Sequence, residues 1–189
     1  MPLAALFAMW AVMMALMMLP GAMPAVLRRP GVLPRIVFSA GYVGVWTAFS
    51  AVAAIVQGAL ASAALLSEDM FLRSSVAAGV TLIAVGFYQL TPCKRHFLLE
   101  CRVRTSGPSL PGVRNAFVAG LRHGTACLGS SAPLMLLMLV VGVMNYAAMI
   151  ALAAWLVAEK SLPSGIRLSR IGAAGLLAWG GLVLAMAAA

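Results

Sequence analysis

The sequence predicts an all-α fold: a polytopic transmembrane bundle of six membrane helices forming a single integral membrane domain over residues 1–189. Three observations predict it. The chain is 63% hydrophobic and 9% charged, with a mean hydropathy of +1.04, whereas soluble domains are about a quarter charged. Several apolar stretches approach or exceed the roughly 20 residues that a helix needs to cross a hydrocarbon core. The thirteen Lys and Arg residues, which set a net charge of +9, fall almost wholly in the short connections between those stretches. That is the positive-inside pattern. It points to lipid headgroups as partners rather than nucleic acid.

The first apolar segment, Leu3 to Leu19, stops at the breaker pair Pro20-Gly21. A secretory signal needs a positively charged start, and the first basic residue here is Arg28, so the segment reads as a retained helix. A basic, proline-rich connection follows, with Arg28, Arg29, Pro30, Pro34 and Arg35. The second segment, Ile36 to Leu66, is long enough to tilt. Ser67-Glu68-Asp69 makes the next turn, and the third segment runs from Phe71 to Leu90. A polar stretch from Thr91 to Arg114 contains the breakers Gly107-Pro108 and Pro111-Gly112. The last two segments are Pro133 to Ala158 and Ile171 to Ala188, joined through Glu159-Lys160 to Arg170.

Asn115 to Ser131 is the ambiguous piece, apolar but containing Arg122 and His123. If it spans, eleven of the thirteen basic residues lie on the cytoplasmic side, leaving Arg73 outside and Arg122 within. The charge rule therefore favours six helices with a periplasmic N-terminus in the cytoplasmic (inner) membrane. Five helices plus a re-entrant or interfacial one is the alternative. A mid-membrane Arg122 is costly and is expected to face protein. Ala116, Gly120 and Gly124 recur every fourth residue, the spacing that lets helix backbones approach closely.

Three groups of residues can carry chemistry. Met9, Met13 and Met17 follow one another at i, i+4 and i+8, with Met14 and Met18 on the adjacent flank, so thioethers line one face of the first helix. Thioether sulfur is a soft, uncharged donor that prefers Cu(I); methionine also serves simply as a gap-filler between helices. The second group is Cys93, His96 and Cys101, with Glu100, after the third span; Cys93 and His96 share a face if the stretch is helical. Thiolate and imidazole bind soft or borderline metals, but such residues are equally at home at a membrane boundary. In the third group His123 and Cys127 stand at i, i+4, with Ser130, Ser131, Met135, Met138, Asn145 and Met149 following. An intramembrane histidine is a functional candidate by default, and locking the bundle through hydrogen bonds is the other account. The three cysteines are too few and too scattered for a disulfide framework. Nucleophile-elbow, P-loop and dinucleotide fingerprints are absent, so no enzyme is expected.

Taken together, several stretches resemble a bacterial family of integral membrane proteins predicted to bind metal and filed as a domain of unknown function. They are Trp10-x-x-Met13-Met14-x-x-Met17-Met18-x-Pro20, Tyr88-Gln89-x-Thr91-Pro92-x-Lys94-Arg95 with Cys101-Arg102, and Gly120-x-Arg122-His123-Gly124-x-x-Cys127-Leu128-Gly129. Met135 through Gly142-x-Met144-Asn145 and Glu159-Lys160-x-x-Pro163-x-Gly165 continue the match. The chain departs from the family in having Ser130, Ser131 and Ala132 where two cysteines and a tryptophan are expected, and Phe97 where a second cysteine is usual. Hydroxyls are poor Cu(I) ligands, so this is a divergent member lacking part of the cysteine motif.

The resemblance and the soft-ligand bias together imply a membrane-embedded protein that handles a copper-type metal without catalysis. Met9, Met13 and Met17 would act as a relay, with Cys93, His96, Cys101, His123 and Cys127 as stronger ligands. The second reading is an accessory or structural subunit packed in a larger membrane complex or homo-oligomer. It is motivated by the lost cysteines and by small residues that could seat a neighbouring helix, Gly41 and Gly44 in the second helix and Gly172, Gly175, Gly180 and Gly181 in the last, with packing of this bundle against itself as the other account of them.

Overall fold

The computed structural model describes residues 2–64, 74–106, 112–142 and 145–188. The expected acidic turn at Ser67-Glu68-Asp69, Arg73, the breakers Gly107-Pro108 and Pro111, and Met144 lie outside the described residues. All described elements are α-helices: α1 (Leu3–Leu27), α2 (Val32–Ser62), α3 (Ser75–Leu90), α4 (Pro92–Ser106), α5 (Val113–Met135), α6 (Leu137–Val141), α7 (Tyr146–Ser161) and α8 (Gly165–Ala188). Only Leu136 separates α5 from α6, and together they form one stretch of 29 residues. Among the described residues, four stretches are long and apolar enough to cross a membrane: α1, α2, α5 with α6, and α8. A fifth arises if α3 and residues 92–103 of α4, bent by 62°, are taken as one broken span. Helix α7 has 16 residues, fewer than the roughly 20 of a full crossing.

Several boundaries differ from the sequence-based expectation. Helix α1 does not stop at Pro20-Gly21; it carries Pro20 and Pro24 inside it. In apolar helices the carbonyls that proline leaves free find partners in neighbouring groups, so proline does not end the helix. The stretch after Leu90 is not a loop but helix α4. Thr91 takes extended backbone, and its hydroxyl accepts from the Lys94 amide at 3.2 Å, starting a new helix directly after the old one. Pro133 lies inside α5 rather than opening the next span. The break falls instead at Gly142, at φ 98°, where glycine alone is unstrained, and Asn145 caps α7 by accepting from the Ala148 amide at 3.1 Å.

The helices group into two compact units, Met1–Gly58 with Phe97–Gly129, and Ala59–His96 with Ser130–Ala189. In the first, α1 and α2 run antiparallel. The Trp10 indole donates to Gln57 Oε1 at 2.5 Å near one end, and the Tyr42 hydroxyl meets the Met18 carbonyl at 3.1 Å nearer the other. Arg35 closes the turn between them by donating to the carbonyls of Arg29 (2.9 Å) and Leu27 (3.4 Å), which are left over at the end of α1. Helices α2 and α5 run in the same direction and touch backbone to backbone: a Cβ on Gly41 would sit 2.6 Å from the Phe117 carbonyl oxygen, and one on Gly120 would strike the Phe38 carbonyl. The small-residue spacing on α5 thus does what its pattern predicts. Helix α4 packs on α5 through Phe97, whose ring occupies the place a Gly129 side chain would need.

In the second unit, α3 lies antiparallel to α8. Gly79 meets Gly180 toward the start of α3, Leu177 covers Gly86, and the Ser169 hydroxyl donates to the Gln89 backbone carbonyl at 3.2 Å. The Trp155 ring of α7 fills the space over Gly172 of α8. Glu159 is not a connection residue, as the sequence suggested. It is 1% exposed and pairs at 2.8 Å with Lys94, which is equally buried. Lys94 also donates to Gln89 Oε1, which accepts from Ser169 as well.

Candidate metal centre

Four helices of the first unit converge on one buried polar cluster. Helix α5 turns by about 100° per residue, which places His123 and Cys127 one turn apart on its inner face, both essentially buried. Arg122, next along the chain, is turned outward and exposed. The expectation that Arg122 would face protein is therefore corrected: a long cation can extend along the helix surface while its neighbour packs inward.

Helix α4 supplies Cys101, 3% exposed, whose Sγ lies 3.9 Å from His123 Nε2. Helix α2 supplies Phe38 and Tyr42, also one turn apart, whose rings stand 5.8 and 5.6 Å from the imidazole at tilts of 44° and 39°. Two aromatic faces thereby fix the orientation of the histidine. The Arg29 guanidinium sits 4.8 Å over the Phe38 ring. Burial lowers its pKa from the ordinary arginine value, but it keeps its charge at neutral pH. Helix α1 reaches the cluster at Met18, whose carbonyl accepts from the Tyr42 hydroxyl. The same hydroxyl is 3.1 Å from Cys127 Sγ.

The donor set suits a soft, monovalent ion. Thiol and imidazole can be buried in their neutral forms, at far lower cost than a carboxylate pair. Cys101 and His123, 3.9 Å apart, would hold such an ion between one thiolate and one imidazole. Among the described residues, no three His, Cys, Asp or Glu side chains come together as a ready-made metal group.

Of the eight residues singled out from sequence, the structure brings Cys101, His123 and Cys127 into this cluster. Met13 and Met17 are buried on α1 along with Met14 and Met18, whereas Met9 is half-buried. Cys93 and His96 are both exposed on the first turns of α4, and Cys93 meets the Tyr88 hydroxyl. Ser130 and Ser131, which stand where cysteines were expected, are buried with their hydroxyls 3.3 Å apart. Sequence reasoning missed Phe38 and Tyr42. Their i, i+4 spacing on an apolar helix is visible, but nothing local distinguishes them from packing aromatics.

A family model described as PpoB2, copper chaperone, matches residues 7–183. Comparison with curated proteins and with solved structures gave no match.

Proposed function

Because the chain belongs to the PpoB2 copper chaperone family, we propose that it holds Cu(I) between Cys101 and His123 and passes it on within the membrane. Copper is cargo here, not a catalytic centre. The observation that carries the reading is the buried approach of Cys101 Sγ to His123 Nε2 at 3.9 Å. Burial excludes water and hard competing ions, and Phe38 and Tyr42 hold the imidazole so that Nε2 faces the sulfur.

The methionines of α1 supply the route. Met9, Met13 and Met17 rise by about 6 Å per step along the helix, and the ladder ends beside Met18, whose carbonyl is bonded to Tyr42. A thioether binds Cu(I) without giving up a proton, whereas a cysteine must lose one. Soft neutral rungs leading to a thiol–imidazole pair therefore form a gradient of increasing affinity. The test is Cu(I) titration of purified protein in mild detergent under reducing conditions, against a competing chelator. One tightly bound ion is expected. The Cys101→Ser, His123→Ala double variant should weaken binding by more than about 100-fold, the upper end of what losing an outer-shell partner costs. Unchanged affinity in that variant sinks the assignment.

Orientation is part of the same proposal. With the N-terminus outside and the basic connections inside, the ladder runs from the outer face inward. A compartment-sensitive reporter joined ahead of α1 should score periplasmic, and one inserted at residues 107–111 cytoplasmic. The reverse pattern would turn the route around.

A further inference from the structure

Cys127 is the unexplained member of the cluster. It stands one turn from His123 on the same face of α5, where i, i+4 side chains are neighbours, and yet it does not join Cys101 and His123 as a third donor among the described residues. Its sulfur lies 3.1 Å from the Tyr42 hydroxyl. That hydroxyl has one proton and meets two acceptors, the Met18 carbonyl at 3.1 Å and Cys127 Sγ. With the phenol donating to the carbonyl, the thiol donates to the phenol oxygen, and Cys127 is held in a short chain of hydrogen bonds.

Tyr42 is well placed to hold it. The residue is 1% exposed. The backbones of α2 and α5 touch beside it through Gly41 and Gly120, and its own carbonyl is 3.3 Å from where a Gly124 side chain would begin. The position of the hydroxyl relative to Cys127 is therefore set by a close backbone contact between α2 and α5, not by a freely moving side chain.

We propose that Tyr42 is a positioning residue that sets how many sulfurs the copper site offers. Its hydroxyl withholds Cys127, leaving Cys101 and His123 as a two-donor site, and release of that hydrogen bond adds Cys127 as the third donor. On joining, the thiol loses its proton to solvent and binds as thiolate. The inference rests on the copper reading above. It adds to it a device by which one site can hold copper loosely or tightly.

Tyr42→Phe separates the two roles of the residue, since the ring against His123 stays and only the hydroxyl goes. X-ray absorption on Cu(I)-loaded, reduced protein should show one sulfur and one nitrogen in the wild type and a second sulfur in Tyr42→Phe, with affinity rising by about tenfold or more. Adding Cys127→Ser to Tyr42→Phe should restore the wild-type spectrum. The single sulfur and single nitrogen expected in the wild type are themselves a measurement that does not depend on how the tyrosine variant folds. Two sulfurs already present in the wild type, or identical spectra for wild type and Tyr42→Phe, overturn the role of Tyr42 while leaving copper binding standing. A wild type that takes up no Cu(I) overturns the copper reading and this inference with it.

Discussion

Each of the two units buries a set of polar side chains among apolar helices, and the sets are built on opposite principles. In the first unit, beside the Trp10–Gln57 hydrogen bond, the groups are thiols, an imidazole and a phenol, with Cys101 approaching His123 at 3.9 Å. In the second they are a full ion pair, Lys94 with Glu159 at 2.8 Å, surrounded by Gln89 and Ser169. A buried charge is tolerable only when a partner and hydrogen bonds offset the loss of water. The Lys94 network meets that requirement at the meeting of α3, α4, α7 and α8, and it reads as a lock. Neutral soft donors need no such compensation, so they can remain loosely bonded and available to an incoming ion. The comparison teaches that the most strongly bonded polar cluster in an apolar fold need not be the functional one.

Breaking the lock gives the largest expected effect. Glu159→Ala leaves the Lys94 ammonium buried without its counter-charge and should cost about 3–5 kcal/mol in detergent unfolding experiments. The paired replacement Lys94→Met, Glu159→Leu should recover most of that loss, because an apolar pair of similar volume often serves as well as the ion pair. A single variant as stable as the wild type, or a double variant as unstable as the single, would show that the network is not a lock. The smallest effect sharpens the other side of the comparison. Cys93→Ser with His96→Ala alters two exposed side chains and should shift stability by no more than about 0.5 kcal/mol. It should also leave Cu(I) affinity unchanged in the same competition titration. A loss of bound copper there would extend the soft-donor region along α4.

Legibility in the sequence followed the range of the physics. Helical fold class and the apolar stretches were visible because composition and hydropathy are sums over local residues. The close packing of α5 was visible in the spacing of Ala116, Gly120 and Gly124, since small residues repeated at four mark one helix face. His123 and Cys127 were legible as a pair for the same reason. The helix ends were not. Pro20 looked like a stop because proline breaks helices in water, and the stretch after Leu90 looked like a loop because it is polar. Both judgements assume local surroundings that the packed neighbours change.

The sequence alone determined that this chain is helical, that its methionines form a ladder, and that its soft donors are few and placed on particular helix faces, because helical periodicity converts spacing into direction. Only the tertiary structure decided which donors meet. Cys101 and His123 are 22 residues apart and touch because α4 packs on α5, and Lys94 finds Glu159 across 65 residues. Tyr42 reaches Cys127 across 85 residues because glycines let α2 lie against α5. Contacts between helices depend on the shapes of both surfaces at once, and no single stretch of sequence carries both.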